Sequence, residues 1–198
     1  MCCRYRIEKT PKMMEIMEEL NRSPLVSRWD EPVVGYGEIG PGNVAPVVAS
    51  NRLGKRAVFP MKWGFKGRTL LVNARTETAS QKPTFAESWA ARRCVIPASC
   101  YYEWEHPSGE NSRGHGVKYR IAPRAGGLTW LCGLYRIEEG LPVFVVLTRE
   151  PWEHIRFIHD RMPLIMPEKL VTEWIRPDNK PEALLAEALT EMEYEPAD

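Results

Sequence analysis

The chain has no long apolar run. No stretch of its 198 residues approaches the ~20 apolar residues that a membrane-crossing helix needs. Arg4, Arg6, Glu8 and Lys9 interrupt the start, where the apolar core of an export signal would lie, so neither a membrane protein nor an exported one is expected. Charge of one sign is missing as well. Lys and Arg number 27 against 26 Asp and Glu, a net charge of +1. Bulk electrostatics therefore argue neither for nor against nucleic acid, and any DNA contact must come from a local patch. Cysteine is scarce and badly spaced for a metal: five stand at positions 2, 3, 94, 100 and 132, with no pair at ligand spacing. An odd count without an export signal fits a reducing cytoplasm. Glycine-rich phosphate loops, repeats, low-complexity segments and a convincing linker are also lacking. The expectation is one domain over residues 1–198, monomeric, with no metal and no cofactor.

Turn formers and aromatic residues, by contrast, are plentiful. Seventeen Pro, fourteen Gly, seven Trp and seven Tyr speak for many turns and against a helix bundle. "VAPVVAS", "RAVFPMKWGF", "TLLVNARTET", "RCVIPASCYYEWEH", "VKYRIAP", "LTWLCGLYRI" and "PVFVVLTRE" run apolar or alternate as strands do. Residues 11–22 carry Pro near the start and apolar residues at helical spacing. A short helix is expected over 83–92, with Thr84 as its N-cap. "PEKLVTEWIR" and "PEALLAEALT" read as amphipathic helices opened by Pro. The acidic tail "EMEYEPAD" reads as a fraying end. Strands follow strands without helical crossovers, so the fold class is α+β: about eight largely antiparallel strands in a barrel-like or two-sheet core, with peripheral helices.

Chemistry concentrates in short polar stretches at the ends of apolar strands. These are "MCCR" (1–4), "NVAP" (43–46), "WGF" (63–65), "NARTET" (73–78), "PASCYYEW" (97–104) and "IHDRMPLIM" (158–166). Each has a plain structural explanation when taken singly. Asn43 shapes a turn, Glu103 sits among aromatics as an ion-pair partner, His159 belongs to a surface charge cluster, and Trp63 is as well read as core as surface. His106, His115 and His154 keep the structural reading. Cys94, Cys100 and Cys132 lie in apolar contexts and read as buried small hydrophobes.

Taken in order, the stretches resemble the SRAP (SOS-response-associated peptidase) family, whose members shield abasic sites in single-stranded DNA. The resemblance implies that Met1 is lost and that Cys2 becomes the amino terminus. A terminal cysteine is a 1,2-aminothiol. Its α-amine, with a pKa of about 7.7–8.0, is partly neutral and can attack the aldehyde of a ring-opened abasic sugar. The thiol then closes on the imine to give a five-membered thiazolidine, helped by the effective concentration of an intramolecular reaction. By the same resemblance, Cys2, Asn73, Glu103 and His159 form the catalytic set. Glu103 is the acid/base group, its pKa raised by aromatic burial, His159 protonates the ring oxygen, and Asn73 holds the amine or substrate. Arg4, Arg75 and Arg161 would clamp phosphates, Thr148 would add a hydroxyl contact, and Pro46 and Trp63 would offer apolar surface to bases. The expected partner is single-stranded DNA with abasic sites, and the expected place is the cytoplasm, at the nucleoid on damage. The adduct would reverse slowly, and the Schiff base would also permit strand cleavage by β-elimination.

The chain departs from the family pattern at two places. Cys3 stands where Gly usually follows the terminal Cys. "WGFKGRTLLVNAR" offers Lys66 and Arg68 where the family has a longer, Trp-bearing loop, which predicts weaker stacking and a steeper salt dependence. Two other readings use the same residues: an N-terminal-cysteine peptidase acting on proteins, and a noncatalytic reader of modified DNA bases.

Overall fold

The computed structural model describes residues 3–105 and 116–198. Met1, Cys2, His106 and His115 lie outside them. The described residues form β1 (Tyr5–Ile7), α1 (Pro11–Asn21), β2 (Gly37–Ile39), β3 (Val44–Ser50), β4 (Arg56–Trp63), β5 (Asn73–Arg75), α2 (Thr76–Ala79), α3 (Pro83–Ala91), β6 (Arg93–Ala98), β7 (Cys100–Trp104), β8 (Lys118–Pro123), β9 (Thr129–Glu138), β10 (Leu141–Arg149), β11 (Met162–Pro163), β12 (Ile165–Met166), α4 (Val171–Ile175) and β13 (Met192–Pro196). No helix among the described residues is long and apolar enough to cross a membrane.

Five strands close a barrel in the order β10, β4, β3, β6, β9, because β9 pairs back onto β10. Its pairings are antiparallel except that of β10 with β4. β3 and β6 are buried along almost their whole length, which is why they read as continuous apolar runs. The barrel is tight. A Cβ on Gly133 would lie 2.7 Å from the Val145 carbonyl oxygen and 2.8 Å from Ile96 Cδ1, so only glycine fits there. Cys94, Cys100 and Cys132 are fully buried, as their apolar contexts foretell.

The second sheet is open, in the order β13, β8, β7, β1, β2. The register sets Ile39, Tyr5, Tyr101 and Ile121 in one row. Direct cross-strand partners share a face, and all four are buried. Through this face Tyr5 meets Trp63, with ring centroids 5.3 Å apart, and Trp63 stacks on Phe144 at 5.9 Å.

Helices cover the outside. α1 buries Met13, Ile16 and Leu20, and its first turn is capped by Thr10, whose Oγ1 accepts the Met13 N–H. α3 begins at Pro83, so the residue in the cap position is Lys82, not Thr84. The stretch expected as a final helix is a 3₁₀ turn, Pro181–Glu187, and the acidic tail does not fray: Met192–Pro196 pairs antiparallel with β8. The packing of α3 against α4 rests on a buried arginine. Arg93 donates to the carbonyls of Trp89, Ala90, Trp174, Arg176 and Asn179.

Candidate active site

Two of the polar stretches meet at the end of β10. Leaving β4, the chain turns at Gly64, whose φ of +122° suits glycine and whose added Cβ would strike Leu70 at 2.6 Å. It then returns to the same edge of β10 as β5. β5 pairs Arg75 with Thr148, and β11 pairs Pro163 with the same Thr148. "NARTET", "VVLT" and "HDRMP" therefore lie side by side. The Thr148 carbonyl accepts from Thr76 Oγ1 at 3.2 Å and from Arg161 Nη2 at 2.8 Å. Arg161 also grips Glu77 with both terminal nitrogens at 2.8 Å, and this bond holds the Glu77 carboxyl below its ordinary pKa.

Two more of the polar stretches, "MCCR" and "PASCYYEW", meet on the second sheet. Tyr5 pairs with Tyr101, and the Tyr102 N–H donates to the Arg4 carbonyl at 2.9 Å. Extended by two residues, that register sets Cys3 opposite Glu103. Glu103 is 3% exposed, and burial pushes its pKa up to about 7, with the Asp160 carboxylate acting in the same direction. Burial, and then Glu103, raises the Cys3 thiol. Arg161 anchors the 159–161 segment to α2, and Asp160 is near enough for its charge to reach Glu103. His159 is held between them. Its Nδ1 accepts the Arg161 N–H at 3.0 Å, and Asp160 Oδ1 lies 2.8 Å from the same nitrogen. The amide calls for a lone pair on Nδ1 and the carboxylate for a proton, so the ring's protonation decides which contact is made.

A family model described as SOS response associated peptidase (SRAP) matches residues 1–197. The chain belongs to the SRAP family. Among SRAP relatives, the abasic site processing protein YoaM of Bacillus subtilis is 33% identical over 144 residues, 66% of this chain and 60% of that one. The abasic site processing protein YedK of Escherichia coli is 24% identical over 184 residues, 89% of this chain and 80% of that one. The chain's match spans about 60% of the length of the Bacillus relative. Two crystal structures share the fold. A protein from Bacteroides thetaiotaomicron has a TM-score of 0.77 at 18% identity, covering 100% of this chain and 92% of that one. A phage-related protein from Bordetella bronchiseptica has a TM-score of 0.77 at 19% identity, covering 99% and 94%.

Of the residues predicted by SRAP resemblance, Glu103 feels the carboxylate of Asp160, the neighbour that His159 contacts, and Asn73 heads β5 two residues before Arg75. Cys2 lies outside the described residues, one peptide bond from Cys3. Several predicted DNA contacts are corrected. Trp63 is fully buried, its Nε1 donating to the Val72 carbonyl at 2.9 Å, and Pro46 is buried in β3. Neither offers surface to a base, because barrel closure encloses both. Thr148 is 1% exposed, and its hydroxyl donates to the Ala74 carbonyl. Arg161 is occupied by Glu77, and Arg4 lies 3.5 Å from Glu38. Arg75 is exposed and makes no ion pair among the described residues. Lys66 is paired with Glu139 at 2.9 Å. Asn43 does shape a turn, Oδ1 accepting the Gly40 N–H at 3.0 Å, and His154 packs beside Trp152 with ring centroids 4.4 Å apart. Sequence reasoning missed Glu77 and Asp160, although both stood inside the quoted stretches. Their charge opposite the assigned Arg161 and beside the assigned His159 was the available signal.

Proposed function

We propose that this protein captures abasic sites in single-stranded DNA covalently, through an amino-terminal Cys2 exposed by removal of Met1. The observation that carries the reading is the register of β1 on β7, which sets Cys3, the residue after Cys2, opposite a buried carboxyl of near-neutral pKa. Such a group donates and accepts protons with comparable ease at neutral pH. Glu103 takes a proton from the attacking amine and returns it to the departing sugar oxygen. His159 protonates the ring oxygen, and Asn73 holds the amine. The amine adds to C1′ of the open sugar, water leaves as the imine forms, and the thiol adds across the C=N bond. Overall, one water is lost. Arg75 and Arg4 meet phosphates, with Arg4 exchanging Glu38 for the strand. Arg161 acts as a positioning residue that holds the His159 segment. Self-removal of Met1 is the peptide cleavage this reading requires, and the imine stage permits β-elimination.

Intact-mass analysis after incubation with an abasic single-stranded oligonucleotide tests this. The expected adduct has the mass of the Met1-free chain plus the oligonucleotide, less one water, and Cys2→Ala forms none. An adduct that persists in Cys2→Ala, or one on a chain retaining Met1, overturns the proposal. Cleavage of an unrelated peptide by the same sample would favour the peptidase reading instead.

A further inference from the structure

With Trp63 and Pro46 enclosed, the bases beside a captured sugar need another surface. The second sheet provides one. Glu103 is directly opposite Tyr119 in the β7–β8 register, so the two side chains stand on one face. One step along β13, Tyr194 is opposite Ile121 and belongs to the same face. Phe157, two residues before His159, closes over both tyrosines. Its ring centroid lies 5.7 Å from Tyr119 and 5.5 Å from Tyr194, and the tyrosines are 5.9 Å apart. All three contacts are edge-to-face, at interplanar angles of 89°, 65° and 73°. Phe157 remains 47% exposed and Tyr194 42% exposed. Tyr119 packs against the core from one side, but Phe157 and Tyr194 are a large apolar outlay on the surface. Strand alternation turns Glu193 and Glu195 to the opposite face, where Glu195 lies 3.6 Å from Arg120. The acidic strand thus shows its aromatic residue, not its carboxylates, toward the site.

We infer that Phe157, Tyr119 and Tyr194 form a stacking surface for a nucleobase flanking the abasic sugar. The inference rests on the proposed capture of abasic DNA and adds a subsite to it. The cluster is continuous with the row that holds Cys3 and Glu103, and its loop carries His159. A strand whose sugar reaches Glu103 therefore passes its neighbouring nucleotide over these rings. Any base has a face to stack, so the subsite takes single strands without sequence preference.

Binding to a Cys2→Ser chain, which removes the covalent step, isolates the subsite. Two oligonucleotides of equal length serve as probes, one with ordinary bases around a single abasic site and one made of abasic sugars throughout. Phe157→Ala is expected to weaken binding of the first about 10-fold and to leave the second unchanged. Phe157→Trp provides a readout independent of affinity: its fluorescence is quenched by the first probe and not by the second. Equal losses on both probes, no loss on either, or quenching that ignores the bases overturns the inference. So does a concentration-dependent self-association abolished by Phe157→Ala with DNA binding intact, which would make the cluster a contact between copies. Failure of the unaltered chain to form the thiazolidine would sink the capture proposal without altering base-dependent quenching.

Discussion

Glu103 is the residue on which chemistry and stability pull against each other. Its carboxyl is buried, and its pKa stands at about 7 against an ordinary 4.5. The folded state therefore binds its proton more tightly than the unfolded one. Folding is favoured by this group while it stays protonated, and the benefit declines as pH rises from about 4.5 through 7. The loss amounts to about 3 kcal/mol once the carboxylate is fully charged. Glu103→Gln should flatten that dependence: urea denaturation at pH 5 and pH 8 should show the variant losing about 2.5 kcal/mol less than the parent across the interval, while forming no adduct. An unchanged pH slope would mean that the carboxyl is solvated. Asp160 supplies the next test. Its carboxylate helps to hold the Glu103 pKa up, so Asp160→Asn lowers that pKa and moves the alkaline limb of the crosslinking pH profile to lower pH. A merely structural role would depress the rate at all pH values and leave the limb in place.

Two tie-points join elements that are distant in sequence. Arg93 links the last turn of α3 to the end of α4 and the turn after it through five carbonyl bonds, and its burial lowers its own pKa. Arg93→Met leaves those carbonyls without their donor and should cost about 3–5 kcal/mol in denaturant unfolding. A change below about 1 kcal/mol would show that water replaces the guanidinium. The Glu77–Arg161 clamp is different, since Glu77 is half-exposed and the pair adds little to global stability. Glu77→Gln should change unfolding by less than about 1 kcal/mol, yet slow adduct formation roughly 10-fold by freeing the segment that aims His159. The same elements show where the sequence was legible. β3, β6 and β10 announced themselves because burial on both faces demands unbroken apolar runs. The tail misled because its acidity suggested solvent, although Met192 and Tyr194 alternate with Glu193 and Glu195 at the period of a strand. Trp63 and Pro46 were beyond local reading, since their burial depends on β9 closing onto β10, a pairing that no local pattern encodes.

For the whole molecule, the question is how a chain of net charge +1 would hold the polyanion proposed as its partner. The sequence pointed to Lys66 and Arg68 and hence to a steep salt dependence. The ion pairs of the structure argue for a shallower one. Lys66 is paired with Glu139, Arg161 with Glu77, and Arg4 and Lys118 share Glu38. Each must give up a carboxylate before it meets a phosphate, so little net counterion release follows. Arg68 and Arg75 are exposed and make no ion pair among the described residues. With about two phosphates neutralised and a single-strand coefficient of about 0.7 each, the slope of log affinity against log salt should be near −1.4. Raising sodium chloride from about 50 to 200 mM should then weaken binding by less than about 10-fold. Arg75→Ala should take about 0.7 from the slope. Anisotropy titrations of the Cys2→Ser chain with an abasic oligonucleotide measure both effects. A slope steeper than about −4 would mean that the carboxylates are displaced at no cost and that charge dominates the grip. With a shallow slope, weak reversible binding suffices for the proposed capture, because a thiazolidine bond, once formed, would hold the strand regardless of salt.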